Sequence, residues 1–274
     1  MRLLIGVSLV LLTAMGAAFV TAAPAAPATD PVAAAVAATS EEGFAPIFNG
    51  KDLTGWDGNP KFWSAKDGCI RGETTAEAPT KGNTFCIWRA GLVGDFELRL
   101  SYKLRNGNSG VQYRSRDMGN WVVGGYQAEV ANDPGRDGFI YDEKGKRGRM
   151  CMPGEKVTWT KDGKQVTGSV GDLEKIKAAF KKDGWNDYRI IAVGNHIVQY
   201  INGVQTIDFT DEEAAMRAMS GIVAVQIHAG APMVVEFKNI RLKKLGPDPA
   251  PAPAAPAATA PAATKTAPAK PAKK

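Results

Sequence analysis

The chain predicts an all-β fold, a sandwich or barrel of short antiparallel strands, and three observations carry that reading. Residues 96–103 (FELRLSYK) alternate Phe96, Leu98, Leu100 and Tyr102 with Glu97, Arg99, Ser101 and Lys103. That period of two places the apolar side chains on one face of a strand. Gly194-Asn195 separates the strand-like runs 188–193 and 196–201, and Asn202-Gly203 separates 196–201 from 204–209; such dipeptides supply the positive φ that two-residue hairpins need. The other apolar runs are short and punctuated by Gly, Asp and Asn, without the regular helix–strand alternation of a parallel sheet.

In chain order, residues 3–20 are apolar behind Arg2 and lead into Thr21-Ala22-Ala23, the form of a cleaved secretory leader spanning 1–23. The alternative is an uncleaved anchor, because the run approaches membrane-spanning length. A cleaved leader implies export to the periplasm or exterior, with no stable membrane span afterwards. Residues 24–42 form an Ala/Pro/Thr linker and 247–274 an Ala/Pro tail ending in lysines. Both lack the apolar surface to offset their conformational entropy, so both are expected to be extended and disordered. Residues 43–246 remain as one folded domain. Within it, 172–182 (DLEKIKAAFKK) places Leu173, Ile176 and Phe180 on one helical stripe, and Thr210 with Glu213 in TDEEAAMRAM makes a capping-box pattern for a second short helix. A closing strand is expected over 233–242 (MVVEFKNIRL).

Composition narrows the function. The net charge is +6, with basic residues scattered among acids and no aromatic residues threaded through a basic run, so nucleic-acid binding has little support. Lys265, Lys270, Lys273 and Lys274 in the tail suit either contact with an anionic envelope or a solvated spacer. The three cysteines are Cys69, Cys86 and Cys151; export permits a Cys69–Cys86 disulfide across a hairpin, leaving Cys151 free. Two histidines and no C-x-x-C argue against a zinc or thiol-redox centre. Trp56, Trp63 and Trp185 read as core. Nothing in the sequence signals an oligomeric state.

Three strand-like stretches pair polar residues two apart: Gln112/Arg114 in GVQYRS, Gln127/Glu129 in GYQAEV, and Gln226/His228 in VAVQIHAG. Side chains i and i+2 leave the same face of a strand, so each pair lines one surface while Val111/Tyr113, Tyr126/Ala128 and Val225/Ile227 line the other. Amides, a guanidinium, a carboxylate and an imidazole on one face suit a hydroxyl-rich ligand, which points to a carbohydrate site.

The motifs GFAPIFNGKDLTGW (43–56), WSAKDGCIRG (63–72), DFELRLSYK (95–103), GNSGVQYRS (107–115), GYQAEV (125–130), DGWNDYRI (183–190), INGVQ (201–205) and GIVAVQIHAG through EFKNIRLKKL (221–245) follow one another in this order. In that succession the chain resembles the 3-keto-disaccharide hydrolase family across nearly all of 43–246. It departs from the pattern where much of the family carries Glu-x-Gln and this chain has Gln127-x-Glu129. The resemblance implies a concanavalin A-like jelly-roll sandwich of two antiparallel sheets with one or two short helices, and carbohydrate bound on the concave sheet. It also implies cleavage of glycosides whose sugar carries a ketone at C3.

Such a ketone acidifies the hydrogen on C2, so a base can remove it, the enolate can expel the C1 leaving group, and water can add back. Glu129 suits the base, Arg114 and Arg149 the enolate oxygen, and His228 the proton shuttle. Gln112, Gln127 and Gln226 suit the sugar hydroxyls, Tyr126, Tyr141 or Trp121 an aromatic face, and Tyr141 with Glu143 a further wall. The competing reading of Glu129 and Arg114 is an inter-strand ion pair, and that of His228 a hydrogen-bonded core residue. Asn132, Asp133 and Asp137 offer oxygen ligands for calcium, and a divalent metal at the ketone is possible. No E-x-D-x-x-E run of a two-carboxylate glucanase is present. The alternatives to an enzyme are a non-catalytic, lectin-like carbohydrate-binding module of the cell envelope and a structural envelope protein working through its tail.

Overall fold

The computed structural model describes residues 31–249 other than residue 39; the expected leader, the first part of the linker and residues 250–274 of the tail lie outside the described residues. Two sheets pack face to face. The larger has ten strands and runs Gly163–Ser169, Glu155–Thr160, Val204–Asp211, His196–Ile201, Asn186–Val193, Phe96–Arg105, Val234–Lys244, Cys69–Glu73, Trp63–Lys66, with Ala45–Pro46 added beside Val234–Lys244. The smaller has seven and runs Gly148–Cys151, Ile140–Glu143, Val123–Ala131, Asn108–Asp117, Ile222–Ile227, Thr84–Trp88, Trp56–Gly58. Pairing is antiparallel except between Glu155–Thr160 and Val204–Asp211. This is the expected jelly-roll sandwich, its neighbours in space drawn from distant parts of the sequence.

The period-two reading of 96–103 holds: Phe96, Leu98, Leu100 and Tyr102 are buried between the sheets with Val111, Tyr113, Tyr126, Phe209, Val225 and Phe237. Both hairpins form at the expected dipeptides, with Val193 opposite His196 and Ile201 opposite Val204. Trp56 and Trp63 belong to the core. Trp185 does not. It lies half-buried under two lysines, with Lys238 Nζ 3.9 Å from its ring centre, because the residues flanking a strand start need not follow the strand's parity.

Three expectations are corrected. The segment 24–42 is not extended throughout: Pro31–Ala37 is a helix whose Val32 and Ala35 pack on Ile191 and Val198 of the larger sheet's outer face. Arg189 donates to the Ala35, Val36 and Ala38 carbonyls at the helix's C-terminal end, where carbonyls lack their full set of intrahelical partners. Cys69 and Cys86 lie in different sheets, so no hairpin joins them, and all three cysteines are free thiols. The helix at Leu173–Ala179 forms behind its Asp172 N-cap, but 210–219 makes only a turn. There the Asp211 carboxylate, at a strand end, takes the Glu213 N–H at 3.1 Å and fixes the chain before a helix can extend.

One polar group sits deep between the sheets. The loop residue Asp137 accepts hydrogen bonds from the Tyr102 hydroxyl and from the Ala131 N–H. Burial pushes its pKa up to about 8, against the pull of those two donors. Asp133 instead caps its own turn by taking the Gly135 N–H, and the Asn132 amide donates to Asp183. The three candidate calcium ligands are therefore committed separately. An aspartate that stays protonated in the fold but ionises near pH 4 when unfolded binds more protons in the native state between those limits, so stability falls as pH rises. Chemical denaturation of wild type and Asp137→Asn should show the wild type losing stability relative to the variant as pH rises from about 4 to about 8, with no further change above. A pH-independent difference would contradict the protonated state.

Candidate functional site

On the outer face of the smaller sheet, side chains from three adjacent strands meet. Gln112 and Gln127 are direct cross-strand partners, and Glu129 lies opposite Gly110. Gln112 Nε2 and Gln226 Nε2 both donate to Gln127 Oε1 at 2.8 Å, and Gln127 Nε2 donates to Glu129 Oε2 at 2.9 Å. Ser115 Oγ donates to Gln112 Oε1 at 2.6 Å. With Ser115 able to give a proton and Glu129 able to receive one, the amides between them are oriented one way. Asn108 Nδ2 completes the carboxylate by donating to Glu129 Oε1 at 2.8 Å.

A glycine makes this lattice possible. A Cβ on Gly110 would sit 2.3 Å from Gln127 Cδ, so the Gln127 side chain lies flat across the bare backbone. The two-residue spacing keeps residues 127 and 129 on one face whichever of them is acidic. Having Gln127-x-Glu129 in place of Glu-x-Gln moves the carboxylate along the strand by roughly 7 Å.

Burial pushes the Glu129 pKa up to about 7. Hydrogen bonds from Gln127 and Asn108 and the nearby Arg136 oppose that rise, while the second carboxylate, Glu143, adds to it. Glu143 ends the neighbouring strand Ile140–Glu143 and is itself 5 % exposed. Asn83 Nδ2 donates to its Oε1 at 3.1 Å, and Gln226 Nε2 lies 3.5 Å from its Oε2. His228 follows Ile222–Ile227 and is half-buried, with Nδ1 2.6 Å from the Ala229 carbonyl. Since a carbonyl only accepts, Nδ1 carries a proton and donates it to that oxygen.

These groups surround a hollow of about 410 Å³. Asn83, Asn108, Gln127, Glu129, Glu143 and His228 line it together with Tyr141, Arg136, Lys144 and Arg149. Of the residues singled out in the sequence, Glu129, His228, Gln127, Tyr141, Glu143 and Arg149 line the hollow, and Gln112 and Gln226 form the buried lattice behind it. A larger cleft of about 1020 Å³ opens on the outer face of the other sheet. Its arginines, Arg99, Arg189 and Arg241, are occupied by Glu97, Glu41 and the carbonyls of the N-terminal segment.

Two candidates lie elsewhere. Arg114 is 1 % exposed and donates to the Gly94 and Gly194 carbonyls and to Asp95. It pairs with Asp95 and is absent from the hollow's lining, so the Glu129–Arg114 ion pair does not form. The pairing of Asn108–Asp117 with Val123–Ala131 slips between Gln112 and Arg116, and Arg114 takes a left-handed φ of 48°, so an extra residue reverses the parity. Ser115 inherits the outward position, and Arg114 turns toward the larger sheet. Gly221 lies against this bulge, where a Cβ would stand 2.4 Å from the Arg114 carbonyl carbon. Tyr126 faces the core and donates to Asp211, as the alternation of its strand requires. Trp121 is absent from the hollow's lining and donates to Asp57 at 2.7 Å.

Sequence reasoning missed Asn83, Asn108, Arg136 and Lys144. Asn108 was within reach, being two and four residues before Gly110 and Gln112 on one strand face; the other three come from loops and turns, where no periodicity operates. Among the described residues, no group of three or more His, Cys, Asp and Glu side chains forms a set able to hold a metal ion.

A search of the curated proteins finds no match to the chain. Among solved structures, the chain is similar to a candidate glycosyl hydrolase from Parabacteroides distasonis at 22% identity, with a TM-score of 0.50, covering 73% of this chain and 98% of that one. A second candidate glycosyl hydrolase from the same organism is 20% identical, with a TM-score of 0.48 over 75% of this chain and 95% of that one. The carbohydrate binding module CBM66 from Bacillus subtilis is 14% identical, with a TM-score of 0.46 over 70% of this chain and 97% of that one. The first of these supports the sandwich fold alone. The 3-keto-alpha-glucoside-1,2-lyase-like domain family matches residues 43–243, almost the whole of the sandwich and all of the hollow's lining. The chain is thus a carbohydrate-active protein and belongs to that family.

Proposed function

We propose that the protein is an exported enzyme that cleaves 3-keto glycosides in the hollow, by elimination followed by hydration. The observation that carries this reading is Glu129, a buried carboxylate with a pKa of about 7 beside open space, which is the value a general base near neutral pH requires. Glu129 takes the C2 proton, and the C2–H electron pair moves into the enolate of the C3 ketone. The enolate then expels the C1 oxygen substituent, which leaves with a proton, giving a C1–C2 double bond conjugated with the ketone. Water adds at C1 and a proton returns to C2. His228 Nε2 is placed to carry the proton to the leaving group. Negative charge on the enolate oxygen falls to the cations of the hollow's lining, Arg149 foremost, in place of Arg114.

Substrate hydroxyls have partners ready. Asn108, on the hollow's lining, has a buried Oδ1 acceptor with no hydrogen-bond partner among the described residues, a state that costs free energy until a donor arrives. Export follows from the leader expected at residues 1–23.

The full chain mixed with a 3-keto disaccharide should release free sugar, while the unoxidised disaccharide stays intact. Tight binding of both without release would establish the lectin-like alternative. In Glu129→Gln, turnover should fall on the order of 10²–10⁴-fold with the fold kept; a fully active variant removes Glu129 from the reaction. Because the base works ionised, kcat/KM in the wild type should rise with pH through about 7 and then level. Gly110→Ala should leave the protein folded but lower turnover about a hundredfold, since the displaced Gln127 no longer orients the base. Unchanged turnover in a folded Gly110→Ala protein would show that the amide lattice does not position Glu129.

A further inference from the structure

The hollow holds its carboxylates and its cations by separate means. Glu129 and Glu143 are hydrogen-bonded by neutral amides, from Asn108 and Gln127 in one case and Asn83 in the other. Arg136, Lys144 and Arg149 stand exposed on the lining of the same hollow, and among the described residues none of them is in an ion pair. Elsewhere in the fold, arginines are tied to carboxylates, among them Arg71, Arg99, Arg147 and Arg189. Arg136 is near enough to pull the Glu129 pKa down yet forms no ion pair with it. The Phe139 ring lies beside Arg149, 5.9 Å from the guanidinium carbon.

Three positive charges exceed what the proposed reaction asks of them. One enolate oxygen carries a single negative charge, and only transiently. A neutral sugar offers hydroxyls, which the amides already address. Guanidinium forks match planar or tetrahedral oxyanions through paired, charge-assisted hydrogen bonds.

We infer that the glycoside accepted in this hollow bears an anionic substituent, a carboxylate or a sulfate ester, held by Arg136, Lys144 and Arg149. This rests on the reading of the hollow as the sugar site and names the substrate class for it. The anion is present in the ground state, whereas the enolate forms only during reaction, so binding of unoxidised sugars separates the two uses of the cations.

The test is calorimetric titration of the full chain with three matched disaccharides lacking the ketone: neutral, uronic acid-containing and 6-sulfated. At low ionic strength at least one anionic sugar should bind about tenfold or more tightly than the neutral one, the gain expected of a single charge-assisted hydrogen bond. Which of the two binds more tightly identifies the anion. The preference should shrink as salt is added and fall to about twofold in the Arg136→Gln/Arg149→Gln variant. Equal affinity for all three sugars, a preference untouched by the double substitution, or no binding of any sugar overturns the inference. These titrations need no turnover, so their outcome is independent of whether a 3-keto substrate is cleaved.

Discussion

The structure turns on how one carboxylate is kept out of water. Glu129 sits on a sheet face and is 2 % exposed, where an unpaired charge is expensive. It is held by two amide N–H groups, from Asn108 and Gln127, and by no cation. An arginine partner would stabilise the ionised form and hold the pKa low; neutral donors orient the group and let burial raise it. The requirement spreads outward. Gln127 must lie flat, so residue 110 has no side chain. Gln127 must present one end only, so Gln112, Gln226 and Ser115 fix its amide from behind.

The bulge at Arg114 serves the same end. A regular strand would send a guanidinium onto the amide lattice and withdraw Ser115 from it. The extra residue reverses this, giving the lattice its terminal hydroxyl and giving Arg114 to Asp95 and two backbone carbonyls at the ends of the larger sheet's central strands. A single register slip thus keeps the Arg114 guanidinium off the amide lattice and joins the two sheets.

The two outer faces are used in contrasting ways. On the larger sheet, Arg99, Arg189 and Arg241 meet Glu97, Glu41 and helix carbonyls, binding the N-terminal segment onto the sandwich. Glu41, caught chiefly by the hydrogen bond from Arg241, is held at a pKa of about 2. On the smaller sheet Arg89 pairs with Asp57 and Asp117, but around the hollow Arg136, Lys144 and Arg149 form no ion pair among the described residues.

The sequence by itself determined the class of fold, the hairpins at Gly194-Asn195 and Asn202-Gly203, and the polar face carrying Gln112, Gln127, Glu129, Gln226 and His228. These follow from period-two alternation and turn chemistry, which act over a few residues. It was blind at Arg114, because a bulge is a register decision between two strands and leaves no mark on one of them alone. It was blind to the helix Pro31–Ala37, whose stability comes from Ile191, Val198 and Arg189, more than 150 residues away in the chain. Only the tertiary structure brought Asn83, Arg136 and Lys144 from separate loops and turns to the carboxylates of a sheet. Only burial within it raised the Glu129 pKa to about 7, because desolvation belongs to the assembled surface and not to any residue's neighbours in sequence.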